Sequence, residues 1–135
     1  MQFGYWPRGI AVAPDGRVWV GTQTQVVGFI DPRPPETSPD RCIGTRNCNE
    51  DGQRASTTCG PIGVAIDSAG RRYVADAGIG RILLFSTPRT VEQAARVFGQ
   101  PSIAANPARN AGGIPSESPL CDRRRLATDS DNDIF

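Results

Sequence analysis

Pro61-Ile62-Gly63-Val64-Ala65-Ile66-Asp67-Ser68-Ala69-Gly70-Arg71-Arg72-Tyr73-Val74-Ala75 decides the fold. It is two runs of apolar, β-branched and aromatic residues separated by a short polar turn, the pattern of a β-hairpin. Glycine supplies the positive φ that tight hairpin loops need, and an aspartate can bond its own backbone two residues on, so Asp67-Ser68-Ala69-Gly70 reverses the chain at little cost. Strands are expected near 63–67 and 71–76. A second turn at Ala77-Gly78-Ile79-Gly80 leads into a third strand, Arg81-Ile82-Leu83-Leu84-Phe85, and Arg96-Val97-Phe98-Gly99 offers a short fourth. Val91-Glu92-Gln93-Ala94-Ala95 competes as a single helical turn.

The pattern recurs. Residues 7–21, from Pro7 to Gly21, align with 61–75 at a constant offset of 54, with the turn at Pro14-Asp15-Gly16 and strands near 9–13 and 17–21. Gln25-Val26-Val27-Gly28-Phe29-Ile30 is the counterpart of the third strand, and Arg41-Cys42-Ile43-Gly44 echoes the fourth. A weaker third copy, 121–135, matches 59–73 at an offset of 62. Four short antiparallel strands in a unit of roughly 40–50 residues is the mark of a propeller blade. The expected fold is therefore all-β, a single unit over 1–135 made of four-stranded antiparallel β-propeller blades. The repeats run over about 7–58 and about 61–119, with the start of a third at 121–135. The stretches 32–39 and 102–119, rich in Pro, Ser, Asn and Gly, read as surface loops.

Closed propellers have typically four to eight blades, so two blades and the start of a third make an incomplete propeller. An open pair would leave apolar faces and strand edges bare. The expectation is a fragment of a larger protein, or a chain that assembles with copies of itself.

Composition narrows the function. Fifteen glycines and twelve prolines in 135 residues, with 7% aromatics, suit a turn-rich β chain rather than long helices. Basic and acidic residues nearly cancel, 15 against 14, which disfavours a dedicated nucleic-acid binder. Histidine is absent, so the commonest general base and metal ligand are missing and Ser–His, Cys–His and His-zinc chemistry have no carrier in these residues. The longest apolar runs fall far short of the roughly 20 residues that span a bilayer, so no membrane span is expected. No catalytic residue, metal site or cofactor is assigned.

Four cysteines, Cys42, Cys48, Cys59 and Cys121, lack the spacing of structural zinc. Cys48 and Cys59 flank a short loop that a disulfide would close in an oxidising compartment; Cys42 with Cys59, or free thiols, are the alternatives. Asp129-Ser130-Asp131-Asn132-Asp133 resembles the opening of a calcium loop, but Ile134 stands where the loop needs glycine. Since Asp129 aligns with Asp67, a hairpin turn is the preferred reading. Asp76 and Arg81 flank the second turn within reach of an ion pair that braces it. Asp67 and Asp76 are the candidate ligand-binding residues, should they line one mouth of a channel. Arg123-Arg124-Arg125 lies among aspartates, a mixed patch rather than a stripe that tracks phosphates. Trp19 and Tyr73, at equivalent strand positions, are expected to pack one repeat on the next.

The second copy, with Tyr73-Val74-Ala75-Asp76-Ala77-Gly78, Arg81-Ile82 and Phe85, resembles the NHL-repeat family of β-propellers, in its long-period bacterial form. Val97-Phe98-Gly99-Gln100-Pro101 resembles the segment that precedes the next strand in such proteins. The first copy departs from the pattern with Thr22 in place of Asp76 and no arginine matching Arg81, and the third has Arg123 and Arg125 in place of Pro61 and Gly63. The resemblance implies a non-catalytic module that binds a protein, glycan or cell-wall ligand through its loops, in an extracellular or periplasmic setting. It leaves open part of a propeller enzyme of lactonase or lyase type, with carboxylates holding a metal near the channel, or the sensor domain of a signalling protein. Fold alone does not choose among these.

Overall fold

The computed structural model describes residues 6–31, 39–44, 58, 60–86, 93–103 and 126–135. Eight strands follow in chain order: β1 Gly9–Val12, β2 Val18–Gly21, β3 Val26–Phe29, β4 Arg41–Ile43, β5 Pro61–Ile66, β6 Arg72–Asp76, β7 Arg81–Phe85 and β8 Ala94–Phe98. They form two four-stranded sheets, ordered β1-β2-β3-β4 and β5-β6-β7-β8. Every neighbouring pair is antiparallel. The chain is all-β, and the sequence repeat is a repeat of topology.

The registers make the repeat residue-specific. Ala11 faces Trp19 across β1 and β2, as Ala65 faces Tyr73 across β5 and β6. The outer strands match too, since Gly28 faces Arg41 and Leu84 faces Arg96. Glycines at positive φ follow both outer strands, Gly44 at +95° and Gly99 at +84°. The helical turn expected over 91–95 is corrected in part: Ala94 and Ala95 belong to β8, where pairing with β7 satisfies the backbone, while 91 and 92 lie outside the described residues. β5 also starts at Pro61, earlier than expected. Its register shifts between Pro61 and Gly63, which seats a residue with no N–H at the start of an edge strand.

The two sheets stack face to face. Ala13, Trp19, Val26 and Ile43 from the first share one core with Val64, Val74, Leu83 and Phe85 from the second. The closest approach runs along the first strands: a Cβ added at Gly9 would stand 2.9 Å from the Ile62 carbonyl oxygen and 3.3 Å from the Gly63 Cα. Glycine at position 9 lets the backbones of β1 and β5 meet. The opposite face of the second sheet, with Ala65, Tyr73, Ile82 and Leu84, is covered by Leu126 and Ile134 of a final hairpin closed by the Thr128–Ile134 bridge. Covered on both faces, β6 and β7 are buried at every position.

Candidate functional site

The three hairpin turns are built alike. In the first, the Ala13 N–H donates to the Arg17 carbonyl and the Gly16 N–H to the Ala13 carbonyl; in the second, Asp67 and Arg71 are joined in the same way, and Gly70 donates to the Asp67 carbonyl. The third repeats it with Asp129, Asp133 and Asn132. The penultimate residue of each is left-handed: Gly16 at +83°, Gly70 at +77° and Asn132 at +67°. Asparagine is among the few residues with a side chain that enter this region readily.

Aspartates hold the turns. The Asp67 Oδ1 accepts the N–H groups of Ala69 and Arg71 at 3.0 and 2.8 Å, as the Asp129 Oδ1 accepts those of Asp131 and Asp133, both at 2.9 Å. The first turn moves the aspartate along, and the Asp15 Oδ1 accepts the Arg17 N–H at 3.0 Å. Asp129-Ser130-Asp131-Asn132-Asp133 is thus a hairpin turn whose leading carboxylate serves its own backbone. No group of three or more His, Cys, Asp or Glu suited to a metal occurs among the described residues.

Of the sequence-derived site residues, Asp67 is fully enclosed. Its Oδ2 accepts from the Arg71 Nε at 2.5 Å and the Tyr73 hydroxyl at 3.3 Å. The hydrogen bond and charge of Asp67 keep the Arg71 guanidinium protonated more firmly than usual, and burial, reinforced by Asp67 and opposed by Arg71, raises the Tyr73 phenol. Asp76 lies at the far end of β6, its side chain also fully enclosed, with Oδ2 accepting from the Arg81 Nε at 2.9 Å. The Asp76 carbonyl accepts from the Ile79 and Gly80 N–H groups, and Arg81 reaches on to the Ile103 carbonyl at 2.7 Å. The fold therefore separates Asp67 and Asp76 and places each in a turn.

The first copy solves the second turn differently. Register pairing places Thr22 and Gln25 where Asp76 and Arg81 stand, and the Thr22 hydroxyl donates to the Gln25 carbonyl at 2.8 Å while accepting the Gln25 N–H at 3.1 Å. A hydroxyl and two backbone groups replace an ion pair.

The stacked sheets bring the first-turn ends of all three copies to one side, joined between copies two and three by the Ser68 N–H and hydroxyl donating to the Asn132 Oδ1 at 2.9 and 2.8 Å. The outward positions on this rim, Asp15, Ser68, Ser130 and Asp131, are exposed and polar. Arg17, paired with Asp40 at 3.0 Å, adds a cation.

Residue types at strand positions did not reveal Arg72. It is 1% exposed, lies over Trp19 and donates to the Ser86 carbonyl at 2.5 Å. The available signal was an arginine at a position occupied by Val18 and Ile134 in the other copies. Cys42 is exposed on β4, its thiol raised by the protein around it and by the Asp40 charge. Cys48, Cys59 and Cys121, the basic run 123–125 and the loops 32–38 and 104–119 lie outside the described residues. No described helix is long and apolar enough to cross a membrane. No protein-family model matches the chain, and no curated protein matches it in sequence.

Proposed function

We propose that the chain is a stack of propeller blades of the NHL-repeat kind, a non-catalytic scaffold that takes a protein, glycan or cell-wall ligand on its turns and loops outside the bacterial cytoplasm. One observation carries the reading. Two successive four-stranded meanders stack face to face, closest at their first strands, and a third turn of the same build follows. Such stacking brings the turns of successive copies to a common rim, and the rim presents hydroxyls and carboxylates, groups suited to the hydroxyls and amides of a sugar or peptide. Asp67 and Asp76 serve the ligand through the turns they hold. Against the enzyme reading stands their geometry, since both carboxylates are turned inward onto arginines at opposite ends of one strand.

Calorimetric titration with defined soluble peptidoglycan fragments, beside a lactone-hydrolysis assay with added divalent cation, tests the proposal. Binding weakened about tenfold or more by Ser130→Ala combined with Asp131→Ala, without turnover, is the expected result. Cation-dependent hydrolysis abolished by Asp67→Asn would replace the scaffold with the enzyme, and absence of binding to every fragment would remove the cell-wall ligand.

A further inference from the structure

Two junctions between copies obey one rule. Trp19, Tyr73 and Phe135 occupy the same place in the three repeats, as do Ile10, Val64 and Leu126, and Val12, Ile66 and Thr128. At the first junction Trp19 packs into the core that holds Val64, with Ile66 against it. At the second, Tyr73 packs in the cluster that Leu126 and Ile134 cover. An aromatic on the second strand of one copy thus meets the aliphatic first-strand face of the next. A polar contact reinforces the second junction, where the Thr128 hydroxyl donates to the Ile66 carbonyl at 2.9 Å.

The rule leaves two complementary surfaces uncovered. Phe135, heir to the place of Trp19 and Tyr73, is 72% exposed. Ile10 and Val12, which hold the places of the core residue Val64 and of Ile66, are 70% and 63% exposed. Large apolar side chains exposed together mark an interaction surface rather than ordinary scatter. We infer that a second copy of this chain docks head to tail, with Phe135 of one copy seated on the Ile10–Val12 face of another as Tyr73 is seated within the chain. The occupant follows from continuity, because the junction formed twice inside the molecule is the one the two faces can form again. The contact is heterologous, so it propagates to a ring or filament unless one end is blocked. It rests on the internal junctions and stands apart from the choice of ligand.

Sedimentation velocity over a concentration series tests it. Wild type is expected to associate reversibly, while Phe135→Asp and the Ile10→Asp/Val12→Asp double variant are each monomeric with unchanged circular dichroism. Mixed, the two variants retain one good tail and one good head, and a 1:1 dimer with nothing larger is expected. Should either aspartate variant fail to fold, Phe135→Ser and Ile10→Thr supply the same comparison. A wild type that stays monomeric throughout, or variants that associate as wild type does, would overturn the inference.

Discussion

The Arg72 guanidinium carbon lies 4.6 Å from the centre of the Trp19 ring, and each side chain is buried to 1% exposure. The two residues belong to different sheets, so this cation on an aromatic face ties one repeat to the next. Arg17 approaches the same ring at 6.0 Å. Guanidinium on indole is among the stronger contacts of its class when water is excluded.

Trp19→Ala should therefore cost about 3–5 kcal/mol, the usual range for emptying an aromatic core site. Arg72→Val copies the first repeat at that position and should cost clearly less. Urea unfolding followed by circular dichroism measures both, and a Trp19→Ala cost below about 1 kcal/mol would mean that the ring does not fill the junction.

Removing one member of the enclosed Asp76–Arg81 pair leaves the other charge buried, at a cost of about 3–5 kcal/mol. The first repeat supplies the control. The double variant Asp76→Thr/Arg81→Gln installs the residues that hold the first copy's turn, and it is expected to be more stable than Asp76→Thr alone. A double-mutant cycle by chemical denaturation gives the coupling; additive losses would show that the pair does not act as a unit.

Turn chemistry gives a sharper contrast. Gly70→Asn should be tolerated, because Asn132 holds the same left-handed place, whereas Gly70→Val should lower stability by roughly 1–2 kcal/mol or more. Asn132→Gly keeps the backbone but loses both bonds from Ser68, loosening the last hairpin. Melting temperatures of the three variants decide the matter, and equal effects of Asn and Val at position 70 would contradict the turn assignment.

Tyr73 supplies a pH dependence. Burial, with Asp67 beside the hydroxyl, keeps the phenol protonated more firmly in the folded chain than in the unfolded one. The native state then binds more protons above pH 10 or so, and stability, complete below that pH, falls as pH rises through the raised native value. Tyr73→Phe should flatten this alkaline limb. Denaturation midpoints measured from neutral to alkaline pH test it, and an identical slope in the variant would place the effect elsewhere.

The strand order and first hairpin turns were legible because they rest on short-range rules: apolar runs, and an aspartate and a glycine at fixed offsets. Asn132 in the glycine's place shows that the rule concerns backbone conformation rather than residue name. The Asp76–Arg81 brace was legible because five residues separate partners that flank a tight turn. Arg72 was not, since what makes it stable is Trp19 on another sheet, and no local pattern encodes that contact. β8 was ambiguous for a related reason, as Ala94-Ala95 carries little strand preference and is drawn into the sheet by its pairing with β7. Asp67 and Asp76 were offered for a ligand role from their places at strand ends; that both face inward depends on arginines placed by the fold.

The central claim is that consecutive repeats stack through their first strands, with the aromatic of one meeting the next. Nuclear Overhauser spectra of the isotopically labelled protein test it most directly. Cross-peaks between the Trp19 ring and the Arg72 side chain, and between the α-protons of Gly9 and Gly63, are expected beside the cross-strand peaks within each sheet. Intact peaks within both sheets with none between them would show two separate meanders and would contradict the account.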